Sequence, residues 1–133
     1  PLDIVRKSDL SPVTIADRSI ETRLRAMIAE RYPDHGIVGE EMGGDTGADL
    51  TWYLDPIDGT KSFISGMPVW GTLIGLQHKG APVYGLMHQP FTRERFSGDG
   101  TSALWRGAGL AGRAALSGRP ERAAACDKGV LDR

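Results

Sequence analysis

Residues 52–60 read Trp52-Tyr53-Leu54-Asp55-Pro56-Ile57-Asp58-Gly59-Thr60 and continue into Lys61-Ser62-Phe63. An apolar run enters two carboxylates three residues apart, then a glycine and a hydroxyl able to open a helix. Hard cations such as Mg2+ take oxygen ligands in near-octahedral geometry, from a few carboxylates together with waters and phosphate oxygens. Asp55 and Asp58 are ligands of that kind. Pro56 lacks an N–H and fixes its own φ, so a sharp turn is predicted just past the strand end, swinging both side chains and the Ile57 carbonyl toward one point. A helix opened at Gly59 and Thr60 would offer free N–H groups and the positive end of its dipole to a phosphate. The same string is also ordinary turn chemistry, because Asp, Pro and Gly each favour turns. By itself the motif leaves both readings open.

Two acidic elements lie upstream. Gly36-Ile37-Val38-Gly39-Glu40-Glu41 is a short β-branched run ending in glycine and carboxylates, and Thr14-Ile15-Ala16-Asp17 opens a helical pattern. Two strand ends that each terminate in acid converge in one cleft if the strands are neighbours.

In this order and spacing, Thr14-x-Ala16-Asp17, Gly39-Glu40-Glu41 and Trp52-x-Leu54-Asp55-Pro56-Ile57-Asp58-Gly59-Thr60 resemble the inositol monophosphatase family of metal-dependent phosphatases, from about residue 7 to residue 118. The resemblance implies the layered α/β sandwich of the sugar-phosphatase fold, incomplete at both ends. It implies Mg2+, as two ions or as two with a third, weaker one. Glu40, Asp55 and the Ile57 carbonyl would hold the first ion, and Asp55 would bridge to a second bound by Asp58. Glu40 and Thr60 would orient the attacking water, and Asp17 would sit in the water network or on the third ion. Ile57, Asp58 and the N–H groups of Gly59 and Thr60 would face the phosphate, and Lys7 matches an early basic residue near the site. The family also implies a homodimer for the full-length form.

Lys61-Ser62-Phe63 after the Gly-Thr is similar to the histidinol-phosphatase branch, which serves histidine biosynthesis. The resemblance therefore implies hydrolysis of histidinol phosphate by metal-activated water. Inositol 1-phosphate or another sugar or nucleotide phosphate is the alternative. A third reading is an inactive fragment, because the family completes its second metal site with a downstream Trp-Asp motif and no Trp-Asp occurs here. On this reading the chain is one partial domain, the N-terminal metal-binding half of such a phosphatase, with 120–133 a poorly ordered tail.

Composition bounds the remaining classes. The 133 residues are 40% hydrophobic and 25% charged, which suits one globular unit with a feasible core. A net charge of −1 supplies no basic field for nucleic acid or membrane. The single cysteine, Cys126, excludes an internal disulfide framework and fits a reducing cytoplasm. No apolar run approaches a membrane span, and these residues are not expected to include a signal peptide. The absence of an initiator Met is read as processing or truncation. His35, His78 and His88 make no metal-ligand spacing and are read as strand-flank or surface residues.

Ile15, Ile20, Leu24, Met27 and Ile28 recur at helical spacing, so a helix is predicted from Thr14 to about Arg31, capped by Thr14 with Asp17 and closed by Tyr32-Pro33. Strands are predicted at 37–39, 51–54, 69–78, 82–89 and 93–97, with a glycine-rich connector over 42–48, a short helix over 61–65 and a turn at Lys79-Gly80. One helix followed mostly by strands argues for an α+β fold. Trp52, Trp70 and Trp105 are expected in the core, with Trp70 the best candidate for a pocket wall. Gly107-Ala108-Gly109 and Ser117-Gly118-Arg119-Pro120 resemble the family's hairpin that follows the strand meander.

Overall fold

The computed structural model describes residues 14–107 in full and, beyond them, the backbone of three strands at 4–6, 12–13 and 114–115. Lys7, Cys126 and the 120–133 segment lie outside the described residues.

Strands β1 (Ile4–Arg6) and β2 (Pro12–Thr14) form an antiparallel pair that leads into helix α1 (Ile15–Arg31). Thr14 is extended at φ −109°, and its Oγ1 accepts the Asp17 N–H at 3.2 Å, the predicted cap, worth about 1 kcal/mol. At the other end the Tyr32 N–H donates to the Ile28 carbonyl, and Pro33 prevents continuation. The Tyr32 ring stacks on His35, whose Nδ1 accepts the Trp52 indole N–H at 2.9 Å. His35 is thus committed to packing the helix end against the sheet.

The sheet continues through β3 (Gly36–Gly39), β4 (Gly43–Gly44), β5 (Leu50–Asp58), β6 (Gly71–His78), β7 (Ala81–Gln89), β8 (Glu94–Gly98), β9 (Ala103–Arg106) and β10 (Ala114–Ala115); α2 (Thr60–Ile64) lies between β5 and β6. Its order is β10-β9-β8-β7-β6-β5-β3-β4, antiparallel throughout except where β3 and β5 run parallel. The α+β expectation holds. The Lys79-Gly80 turn joins β6 to β7, with positive φ at both residues, the conformation a two-residue hairpin requires.

Four local readings change. The connector over 42–48 contains β4, two glycines that pair back on β3. Residues 103–106 add β9, which the weak alternation there does not reveal. The strand predicted to begin at residue 69 begins at Gly71. The strand predicted to end at Leu54 runs on to Asp58, so Pro56 sits in a β-bulge between Asp55 and Asp58, not in a turn. Pro is tolerated at a bulge because the ladder there requires no donor. The Thr72 hydroxyl from β6 donates to the Pro56 carbonyl at 2.8 Å and satisfies the bulge from the neighbouring strand.

The helix also faces the sheet differently from its apolar pattern. Its buried residues are Asp17 and Glu21, whereas Ile15 and Met27 are each 53% exposed. The carboxylates turn inward because each finds donors there, as described below. Among the described residues the buried hydrophobic side chains are Leu54 and Ile57, both on β5. The three tryptophans are half-buried: Trp52 lies beside Tyr32 and His35 at the end of α1, and Trp70 against Phe63. No described helix is long and apolar enough to cross a membrane.

Candidate active site

The parallel pairing of β3 with β5 brings the acidic residues together. Parallel neighbours end at the same edge of a sheet, and here Gly39 pairs with Leu54, so the next residues, Glu40 and Asp55, emerge side by side. The Glu40 N–H donates to the Leu54 carbonyl at 2.9 Å, extending the ladder one step beyond β3. Asp17, at the first turn of α1, is buried against the same edge. Asp58 follows the bulge and is exposed.

These carboxylates act on one another. Burial raises Asp55 from its ordinary 3.8 to about 8, with further contributions from Glu40, by charge and by a shared hydrogen bond, and from Asp58 and Asp17. Burial likewise raises Asp17 to about 6, reinforced by Glu41 and Glu40 and opposed by hydrogen bonds from Thr14. The Oδ1 atom of Asp55 is buried with no hydrogen-bond partner among the described residues. A buried acceptor without a donor, set among like charges, is a group that a cation would satisfy.

A divalent ion fits this donor set. Among the described residues no group of three or more His, Cys, Asp or Glu side chains forms an all-protein cage. Mg2+ does not require one, since it keeps several waters and takes one or two carboxylates plus phosphate oxygens. Ile57 is 1% exposed, and its carbonyl accepts the Thr60 hydroxyl at 3.2 Å, which ties the first residue of α2 to the bulge. Gly59 caps that helix at φ +87°, a left-handed conformation natural to glycine. A Cβ there would meet the Val69 carbonyl at 3.2 Å, so the loop before β6 lies directly over it. Trp70 in that loop stands edge-on to Phe63, with ring centres 4.9 Å apart.

Of the residues singled out in the sequence, Asp17, Glu40, Asp55, Ile57, Asp58, Gly59 and Thr60 all fall on this edge and on the bulge and helix that follow. The sequence does not single out Glu21, Arg25 or Thr72. Glu21 and Arg25 stand at four-residue spacings after Asp17, a pattern that looks like any solvated helix face. Thr72 is a lone hydroxyl in an apolar strand.

Residues 1–130 match the model of the inositol monophosphatase family. The chain belongs to that family. Among curated relatives, the bifunctional phosphatase IMPL2, chloroplastic, of Arabidopsis thaliana is 54% identical over 99 residues, which are 72% of this chain and 29% of that protein. The histidinol-phosphatase of Mycobacterium tuberculosis is 40% identical over 123 residues, 91% of this chain and 44% of that protein. The solved suhB protein of Bartonella henselae superposes with a TM-score of 0.74 at 27% identity, over 79% of this chain and 42% of its own. The chain therefore spans less than half the length of these relatives. Inositol monophosphatase family members are metal-dependent phosphatases, and the fold described above is theirs.

The raised carboxylates predict how metal-free stability follows pH. Asp17 and Asp55 both have folded values above their unfolded ones. Their contribution is fully present below about pH 4 and is lost as pH rises through about 6 and then about 8. In EDTA the melting temperature is expected to fall between about pH 5 and about pH 9, and Mg2+ is expected to restore more of it at the alkaline end than at the acid end. Melts with a pH-independent Mg2+ effect would contradict the assignment of these two groups.

Proposed function

We propose that this chain supplies the metal-holding and phosphate-holding half of a Mg2+-dependent phosphomonoesterase, with histidinol phosphate as the substrate. The observation that supports it most is the parallel register that sets Glu40 against Asp55, whose Oδ1 is buried and orphaned. When bound, Mg2+ would offset the charge of the phosphate dianion and lower the pKa of a water. Glu40, Asp55 and the Ile57 carbonyl would hold one ion, and Asp58, with Asp55, a second. Thr60 and Glu40 would orient the attacking water along the line of displacement, with Asp17 behind them. The N–H groups of Gly59 and Thr60 would receive the phosphate oxygens, Ile57 and Asp58 lying alongside, and Lys7 would add positive charge. The single cysteine supports a reducing, cytoplasmic setting, and a second copy of the full-length form is the partner that the family suggests.

The substrate choice rests on Lys61-Ser62-Phe63 and on relatives named histidinol-phosphatases. A second reading, inositol 1-phosphate or another sugar or nucleotide phosphate, is favoured by the Aquifex aeolicus relative named fructose-1,6-bisphosphatase/inositol-1-monophosphatase, 36% identical over 90 residues. Phosphate release by the native protein from histidinol phosphate and from inositol 1-phosphate separates the two. We expect a preference of at least about tenfold in kcat/KM for histidinol phosphate, abolished by EDTA. The reverse preference would establish the second reading, and EDTA-resistant release would overturn both.

A further inference from the structure

We infer that Glu21, locked to Arg25 on α1, is a positioning residue that holds the Gly39-Glu40-Glu41 strand end in register so that the Glu40 side chain faces Asp55. This rests on the reading of Glu40 as a metal ligand.

Glu21 is fully buried and takes its two hydrogen bonds from opposite directions. Its Oε1 accepts the Arg25 Nε–H at 2.8 Å, one helical turn on, and its Oε2 accepts the backbone N–H of Glu41 at 2.9 Å. The carboxylate also lies against the Cα of Gly39, where any Cβ would overlap it. Glu40 is therefore held from both sides: its own N–H is tied to Leu54 on β5, and the next N–H is tied to α1. Arg25 extends the grip, donating through Nη1 to the Ile37 carbonyl and through Nη2 to the Gly43 carbonyl, so its guanidinium brackets the turn between β3 and β4.

The spacing of α1 gives this arrangement a single frame. Asp17, Glu21 and Arg25 follow one another at four-residue intervals and share one helix face. Asp17 enters the acidic edge itself, Glu21 fixes the backbone beside Glu40, and Arg25 neutralises Glu21 and anchors the returning strand. A buried carboxylate is retained at such a place only when its acceptors are filled and its charge is matched, and both conditions are met here. Groups that orient metal ligands typically change metal affinity about 10- to 100-fold when removed.

The test uses the chain with Glu21→Gln and, separately, Arg25→Lys, and two readouts. The first is hydrogen exchange of the Glu41 amide in EDTA. The second is Mn2+ affinity per folded molecule, from electron paramagnetic resonance of the free ion. Glu21→Gln is expected to speed Glu41 exchange at least about tenfold and to weaken Mn2+ binding by about ten- to a hundredfold. Arg25→Lys keeps the charge but loses the fork to Ile37 and Gly43, and should move both readouts the same way by less. A purely structural role would lower the folded fraction and leave the affinity of the folded molecules unchanged. Wild-type Mn2+ affinity in folded Glu21→Gln overturns the inference, and if that variant does not fold, the same result in Arg25→Lys overturns it. If the unaltered chain binds no Mn2+, the ligand reading of Glu40 fails instead. Glu41 exchange then decides the positioning role alone, and an unchanged rate refutes it.

Discussion

Asp55→Asn is expected to lower Mg2+-dependent phosphate release by about a thousandfold or more and, in the same protein, to raise the melting temperature of the metal-free state. Both effects have one cause. Asp55 is half-buried beside Glu40, Asp58 and Asp17, and its carboxyl is pushed up to about 8 because that site disfavours its charge. Two like charges about 4 Å apart in a partly buried setting repel by about 4 kcal/mol. Removing one of them relieves the metal-free fold at neutral and alkaline pH. The same charge attracts a cation, so its loss should also remove the stabilisation that added Mg2+ gives. Thermal melts with and without Mg2+, beside a phosphate-release assay, read all three consequences. Wild-type turnover in the variant would sink the assignment of Asp55 as a ligand, and a lower metal-free melting temperature would sink the account of its raised pKa.

Gly39→Ala is expected to destabilise the fold by about 3 kcal/mol, a drop of about 10 °C in melting temperature. The reason is space. Gly39 lies in β3, and a methyl group there would overlap the buried Glu21 carboxylate, itself held by Arg25 and by the Glu41 N–H. Displacing the carboxylate breaks a part-buried ion pair and leaves Arg25 without its counter-charge, at the low end of the roughly 3–5 kcal/mol that breaking a fully buried pair costs, while displacing the strand breaks the register with β5. The two sites are in contact, so their effects should not add: Gly39→Ala introduced into a Glu21→Ala background should cost much less than it does alone. A melting temperature within about 2 °C of wild type for Gly39→Ala would show that the helix and strand separate more easily than the packing implies.

Much of the candidate site is legible in the sequence, because its parts are short and local. The Asp-Pro-Ile-Asp-Gly-Thr string carries its carboxylates, its carbonyl and its helix start within six residues, and the Thr14 cap on Asp17 is a four-residue pattern. Trp52, Trp70 and Trp105 are less legible. They look like core residues by type, yet each stands half-buried, since burial depends on what lies opposite a face and not on the residue that occupies it. The turn expected at Pro56 fails for a related reason. Proline marks a break in pairing, but only the neighbouring strand, with its Thr72 hydroxyl at hand, decides whether that break is a turn or a bulge.

Glu21 marks the limit of sequence reading for this chain. Its i, i+4 neighbours Asp17 and Arg25 are visible, but a helix with Ile15, Ile20 and Met27 at apolar spacing is expected to turn those residues inward, and it does not. From its sequence the protein has an identifiable chemistry and family, because carboxylates, glycines and hydroxyls at fixed short spacings encode a metal and phosphate centre locally. Tertiary structure alone decided that β3 and β5 are parallel neighbours, that their acidic ends meet, and that the polar face of α1 is the buried one. The physical reason is that a buried charge is stable only where distant donors and counter-charges converge on it, and that convergence is a property of the packed chain.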